Sequence, residues 1–219
     1  MRSLRADRAF VTTLLQSVAD YYAGKLARHG TSPRGVDWNG ADGQKLRFDL
    51  LLRVAEPPIG GFALDDYGCG YGALLDYLRL KRRKVDYLGL DVSERMIDAA
   101  RQHHPGDAAR FVTGMRSPRH ADYAVASGIF NVRLAASISK WERLVCSTLE
   151  MMNERSERGF AFNCLTRYAD KEHMKKYLYY GDPCFYFDLC QRQFSRNVAL
   201  FHDYGLYEFT IVVRKEFEA

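Results

Sequence analysis

The chain has 219 residues, the size of one α/β domain with a small attachment. It contains no apolar run long enough to span a bilayer, and its charged N-terminus lacks the apolar region of a signal peptide. The cysteines are odd in number and form no C-x-x-C pair: Cys69, Cys146, Cys164, Cys184 and Cys190. This usage argues against a disulfide framework or a zinc site. We therefore expect a cytoplasmic protein with no membrane association and no bound metal.

The formal net charge of +5 raises the question of a nucleic-acid partner. The densest basic run comprises Lys81, Arg82, Arg83 and Lys84, between the first helix and the second strand of the predicted sheet. This position belongs to the amino-terminal edge of a parallel sheet, whereas ligands of such folds bind at the carboxyl-terminal edge. We interpret the run as a solvated turn, and the sequence argues against a nucleic-acid partner.

About sixty residues precede the first predicted strand. Apolar residues at spacings of three and four predict an amphipathic helix over 7–28, with Gly30 as its cap. A turn-rich segment over 31–40 contains Trp38. A second helix is predicted over 43–55, and the proline- and glycine-rich run at 57–61 ends it.

The rest of the chain is organised around the stretch at 62–75. An apolar run at 62–64 predicts a buried strand, and from Ala73 the apolar residues take helical spacing. Between them, Gly68, Gly70 and Gly72 stand at alternate positions. Glycines let the backbone turn tightly and approach a ligand closely. The stretch therefore predicts a strand, a glycine turn and a helix built around a bound cofactor.

Two acids indicate the kind of cofactor. The glycine pattern also fits the dinucleotide fingerprint. However, Asp66 stands two residues before the first glycine, where dinucleotide-binding strands are usually apolar. A carboxylate there suits a positively charged ligand group better than a pyrophosphate. The next predicted strand, over 85–91, ends in a second acid, Asp91.

These two motifs together resemble those of the class I S-adenosylmethionine-dependent methyltransferases, and the resemblance covers residues 60–214. It implies a doubly wound, Rossmann-like α/β fold with a seven-stranded sheet, an antiparallel last strand and an N-terminal helical cap. It divides the chain into a cap over 1–60 and an S-adenosylmethionine-binding domain over 61–219. The implied cofactor is S-adenosylmethionine. A nicotinamide dehydrogenase is the distant alternative.

The remaining pattern fits this fold. Strands are predicted over 109–113, 121–127, 158–164, 198–202 and 207–214, and helices from Ser93, over 134–155 and over 184–196. The last two strands are joined by a short turn, as the family's antiparallel hairpin requires.

The resemblance implies roles for individual residues. Asp66 would hold the amino group of the cofactor, Asp91 would accept from both ribose hydroxyls, and Ser127 and Gly128 would offer carbonyls. Arg47 is the candidate for the cofactor carboxylate. The full set of cofactor candidates is Asp66, Gly68, Cys69, Gly70, Gly72, Asp91, Val92, Met96, Met115, Ser127, Gly128 and Arg47. Met115 follows Gly114 where many relatives carry an acid for the adenine amine, so that contact is absent here.

The acceptor is less constrained. The segment after the fourth strand, 127–131, lacks both the Asn/Asp-Pro-Pro-aromatic motif of base-nitrogen enzymes and the Pro-Cys of cytosine C5 enzymes. No general base stands out, and the candidates for a catalytic role are Asn131, His29, Tyr168 and Asp182. We expect in-line methyl transfer to a small molecule. The alternatives are an RNA or protein methyltransferase and a non-catalytic S-adenosylmethionine-binding protein. The acceptor atom and the oligomeric state are not predicted.

Overall fold

The computed structural model describes residues 2–56 and 60–215, with side chains described from Val11 onward. Pro57, Pro58 and Ile59, part of the predicted break, lie outside the described residues. The helices are α1 (Arg2–His29), α2 (Ala41–Leu51), α3 (Ala73–Leu80), α4 (Glu94–His103), α5 (Ile138–Arg155) and α6 (Pro183–Gln193). The strands are β1 (Phe62–Tyr67), β2 (Val85–Asp91), β3 (Phe111–Thr113), β4 (Ala121–Ala126), β5 (Ser156–Leu165), β6 (Asn197–Phe201) and β7 (Glu208–Arg214). Short 3₁₀ helices occupy Pro33–Val36, Leu52–Ala55, Pro105–Arg110 and Lys171–His173.

The seven strands form one sheet in the order β3-β2-β1-β4-β5-β7-β6. The first five strands in the chain pair in parallel, and β7 runs antiparallel to both β5 and β6. The strand order reverses between β1 and β4, which places a crevice at their carboxyl-terminal ends. The predicted fold class, including the antiparallel last strand, is confirmed.

The sheet is covered on both faces, and successive residues of the strands alternate between them. One face packs against α2, α3, α4 and the 3₁₀ helix at Leu52–Ala55, with Leu64 and Tyr87 buried there. The other packs against α1, α5 and α6, with Tyr67 and Leu90 buried there. The carboxyl-terminal ends of the strands therefore lie between two layers of helices.

Between β3 and β4, residues 114–120 form turns and no helix, in this fully described part of the chain. The corresponding face of the sheet is covered by α1 instead. Leu14 and Val18 of α1 belong to the same buried cluster as Leu88 and Leu90 of β2. The N-terminal helix thus completes the core as well as reaching the carboxyl-terminal edge of the sheet.

Some predicted ends are wrong by a few residues. The long helix begins at Ile138, and not at residue 134, because Ser137 caps it and Leu134 takes a φ of +53° outside the helix. Strand β3 begins at Phe111 because the preceding residues form the 3₁₀ helix Pro105–Arg110. Helix α6 ends at Gln193.

None of the helices, as far as the described residues extend, is long and apolar enough to cross a membrane.

Candidate cofactor site

The glycine turn after β1 takes backbone conformations that favour glycine. Gly68, Gly70 and Gly72 have φ values of +73°, +56° and +88°. A Cβ atom at Gly68 would lie 2.1 Å from the Ile129 side chain, and one at Gly70 would lie 2.8 Å from Cγ1 of Val36. Both the dihedral angles and the close neighbours therefore require glycine here.

Asp91, the last residue of β2, is anchored to this turn. Its Oδ2 accepts from the backbone N–H of Gly70 at 3.0 Å, and its Oδ1 accepts from that of Ser93 at 2.8 Å. Burial raises the pKa of Asp91 to about 6, although these N–H groups favour the ionised form. The carboxylate is thus held in a fixed orientation beside the glycine turn.

Asp66 is the second buried acid at this edge, with 3% of its surface exposed. The Tyr87 hydroxyl donates to its Oδ2 at 2.7 Å. Burial, and to a smaller extent the nearby Asp91, raises the pKa of Asp66 to about 7, although the Tyr87 hydrogen bond opposes both effects. A cationic ligand group beside Asp66 would favour its ionised form.

A cavity opens between the two acids, and its space, including the part open to solvent, is about 1100 Å³. Of the expected cofactor residues, all except Gly72 and Arg47 line it. The remaining wall is mostly apolar and includes Leu15, Val18, Tyr22, Val36, Trp38, Phe48, Ile129, Phe130, Trp141 and Leu144. The hydroxyl of Ser127 is buried at this wall, with no hydrogen-bond partner among the described residues. The cavity therefore offers two acids, the unpaired hydroxyl of Ser127 and a large apolar surface.

Residues 33–38, between α1 and α2, cover this cavity. Val36 contacts Gly70, and the Trp38 ring lies so close to Gly128 that a Cβ there would be 2.4 Å from Cζ2. Between them, the Asp37 carboxylate accepts from the Tyr21 hydroxyl and from the Lys25 ammonium of α1, both at 2.5 Å. Residues 33–38 are thus fastened to α1 while their apolar side chains touch the cofactor-site backbone.

Arg47 lies outside the cavity wall in a buried ion pair. Its Nε lies 2.8 Å from Oε2 of Glu208, and its guanidinium lies 3.8 Å from the centroid of the Trp38 ring. Glu208 also accepts from Asn163 at 2.9 Å, and Asn163 accepts from the Gly128 N–H at 2.6 Å. Because its guanidinium is bound to Glu208, this geometry does not support the expectation that Arg47 meets the cofactor carboxylate.

Sequence reasoning missed Glu208 and Asn163, which hold Gly128 through this network. A signal existed, since Glu208 begins an otherwise apolar and β-branched strand, and Asn163 interrupts the apolar run of β5. Arg47, the partner of Glu208, lies 161 positions from it, so the pairing itself could not be inferred.

The four catalytic candidates do not line the cavity. The Asn131 side chain accepts from the Leu165 N–H at 3.1 Å, and Asp182 caps α6. Tyr168 is exposed, with its ring 6.0 Å from that of His202, and His29 is the exposed last residue of α1. Of the four, Asn131 comes nearest to the crevice, since its backbone N–H donates to the Gly128 carbonyl at 3.2 Å.

Few groups at the cavity wall can titrate. No Lys, Arg or His belongs to the described residues that line it. Burial raises the pKa of the Cys69 thiol and of the Tyr22 and Tyr67 hydroxyls, that of Tyr67 to about 12. At neutral pH, only Asp66 and Asp91 can therefore carry charge in the wall.

Comparison with known proteins identifies the family. A family model described as a methyltransferase domain matches residues 66–146. The Mycobacterium tuberculosis protein named "Putative methyltransferase Rv1506c" is 54% identical over 166 residues, which cover 75% of this chain and 98% of that protein.

Solved structures share the fold. Magnesium protoporphyrin IX methyltransferase from Synechocystis, with bound S-adenosylhomocysteine, has a TM-score of 0.59 at 15% identity, covering 80% of this chain and 84% of that chain. DhpI, also with S-adenosylhomocysteine, has a TM-score of 0.60 at 13% identity, covering 92% and 97%. The chain belongs to the class I S-adenosylmethionine-dependent methyltransferases. It is an enzyme that uses S-adenosylmethionine, as the sequence predicted.

Proposed function

We propose that this methyltransferase transfers the methyl group to a small molecule bound inside the covered cavity. The observation that carries the proposal is the position of Val36 and Trp38, which lie over Gly70 and Gly128 and close the carboxyl-terminal edge of the sheet. A cavity enclosed in this way suits a compact acceptor better than a polymer, which needs an open groove.

We infer that the cavity residues hold S-adenosylmethionine, whose sulfonium supplies an activated methyl group. Asp66 would accept from its amino group and Asp91 from its ribose hydroxyls. Val92, Met96 and Met115 would pack on the adenine, and Ser127 would provide its unpaired hydroxyl. The carboxylate would meet the first turn of α3, where helix geometry leaves the N–H groups of Ala73 and Leu74 without helical acceptors.

The protein's own contribution to the reaction would be alignment and exclusion of water. Aligning two reactants in a closed site replaces much of the entropic cost of their encounter. No imidazole or amine of the described residues lines the cavity to remove a proton, and both of its acids would bind the cofactor. We therefore propose that the acceptor atom is nucleophilic without a protein base at neutral pH.

We also propose that residues 1–60 act as the cap and residues 61–219 as the cofactor-binding domain. The contacts of Val36 and Trp38 support a capping role. Because Leu14 and Val18 belong to the core, such a cap would move only in part, in the loop after α1.

Transfer of labelled methyl from S-adenosylmethionine tests the proposal. Equal amounts of a metabolite extract, total RNA and a protein extract are incubated with the full chain, and the label is counted in each fraction. We expect label in the metabolite fraction, insensitive to moderate salt. Label confined to RNA and lost as salt rises would replace the proposal with the RNA alternative. Label confined to protein would favour the protein methyltransferase.

A further inference from the structure

A cluster of three potential metal ligands lies on the outer side of the glycine turn. Asp76 comes from the first turn of α3, His103 ends α4, and His104 follows it. Nε2 of His103 lies 2.9 Å from Oδ2 of Asp76, and Nδ1 of His104 lies 3.8 Å from Oδ1. One ligand atom from each residue can be chosen so that all lie within 4.8 Å of one another.

The His104 ring is oriented as a metal ligand would be. Its Nε2 lies 3.2 Å from the carbonyl oxygen of Gly72, which can only accept, so Nε2 carries the proton. Nδ1 therefore presents a lone pair toward Asp76. Metal-binding histidines commonly donate their other N–H to a carbonyl in this way. The ring is buried and stacks on Phe111 at 5.4 Å, which fixes its plane.

Asp76 supplies one negative charge, and about half of its side chain is exposed. The His103 side chain is also partly exposed. Both can move by the small distance that separates the present spacing from that of a coordinated ion.

One neighbouring cation competes with a metal. The guanidinium NH1 of Arg79 lies 3.3 Å from Nδ1 of His104. The same guanidinium pairs with Asp107 through its NH2 group, and half of the Arg79 side chain is exposed. Arg79 can therefore leave His104 while it keeps Asp107 as its partner.

We propose that Asp76, His103 and His104 bind one Zn²⁺ ion, with water as the fourth ligand. Two imidazoles and a carboxylate are a donor set that zinc accepts in tetrahedral geometry, at about 2.0–2.2 Å. The site is independent of the methyl-transfer proposal and lies beside the crevice rather than in it. Through His104 and the Gly72 carbonyl, the ion stabilises the glycine turn from its outer side.

Calorimetric titration of ZnCl₂ into the chelator-treated, tag-free chain tests the site. We expect one ion per chain, with affinity weakened on the order of tenfold or more in Asp76→Asn and in His103→Gln. Both positions are partly exposed, so these variants keep the fold. His173→Gln, at an exposed histidine elsewhere, is the matched control and leaves the affinity unchanged.

A further variant should change the zinc affinity in the opposite direction. Arg79→Gln removes the competing cation and should tighten zinc binding several-fold. Co²⁺ in place of Zn²⁺ should give the visible absorption of a tetrahedral site in the wild type and lose it in His103→Gln. The proposal is overturned if the wild type binds no zinc at micromolar concentration. It is equally overturned if Asp76→Asn and His103→Gln bind zinc as the wild type does.

Discussion

At the scale of single residues, the substitution of Asp91 gives the clearest prediction. Hydrogen bonds to a charged group contribute roughly 1.5–3 kcal/mol each, and two ribose hydroxyls would share this carboxylate. Asp91→Ala should weaken binding of S-adenosylhomocysteine on the order of a hundredfold or more, as measured by titration calorimetry. Asp86→Ala, at the exposed start of the same strand, is the control. Unchanged affinity in Asp91→Ala would remove this residue from the site.

The raised pKa of Asp66, about 7, predicts a pH dependence of cofactor binding. The cofactor amino group is a cation and favours the ionised acid. Below about pH 7, binding must first remove the proton, so affinity should fall about tenfold for each unit of decreasing pH. Affinity should level off above pH 7. Asp66→Asn should make the dependence shallower between pH 5 and pH 7, where Asp91, with a pKa of about 6, still titrates. A profile that is the same in the wild type and in Asp66→Asn would contradict this assignment.

The raised pKa of Asp66 also affects the free energy of unfolding, which should fall as pH rises, whereas cofactor affinity should increase. In the unfolded chain Asp66 has an ordinary pKa near 3.9, whereas in the folded chain the pKa is about 7. Below about pH 7, Asp66 is therefore mostly protonated in the free, folded enzyme. Its contribution to the free energy of unfolding is present at low pH and is lost between about pH 4 and pH 7. Saturating cofactor should restore stability above pH 7, as measured by thermal unfolding.

At the scale of elements, we expect the segment over 29–39 to be the part of the proposed cap that moves. Trp38 packs on Arg47 and on Gly128, so its loss should open the crevice. Trp38→Ala should reduce turnover more than it reduces the thermal unfolding midpoint. With Trp141 replaced to isolate the signal, Trp38 fluorescence should respond to S-adenosylhomocysteine. Cleavage by protease between Arg34 and Asn39 should slow when the cofactor is present.

The alternative, in which the segment has no lid role, predicts different results. If the segment is only a packed connector, Trp38→Ala unfolds the protein, and ligand changes neither fluorescence nor cleavage. The acceptor site would then have to be built from the connection over 165–183.

At the scale of the whole molecule, we expect the basic run at the amino-terminal edge of the sheet to have no role in turnover. Lys81, Arg82, Arg83 and Lys84 connect α3 to the start of β2, at the end of the sheet opposite the crevice. Replacing all four with serine should leave turnover on a small acceptor unchanged in a steady-state assay. A large loss of turnover, reversed at lower salt, would indicate an RNA partner.

Much of the fold followed from local patterns. Asp66 and the glycine turn are adjacent in the sequence, and Asp91 ends strand β2, which has the predicted limits of 85–91. Long-range placement could not be predicted in the same way. The amphipathic pattern of α1 indicates that it packs, but it cannot indicate that Leu14 and Val18 cover strands where a crossover helix is absent. The Arg47–Glu208 ion pair joins α2 to β7, which no local pattern connects.

The use of α1 to cover the sheet has a consequence for how the chain is made. Helix α1 is synthesised before the sheet, yet Leu14 and Val18 share their cluster with Trp141 and Leu149, more than one hundred residues later. Until α5 has left the ribosome, the apolar side of α1 lacks part of the surface that it finally packs against. Domains generally fold as units during synthesis, and exposed apolar surface promotes aggregation. The burial of α1 is thus completed late, and we expect its apolar side to need protection by a chaperone while strands β1 to β4 are being added.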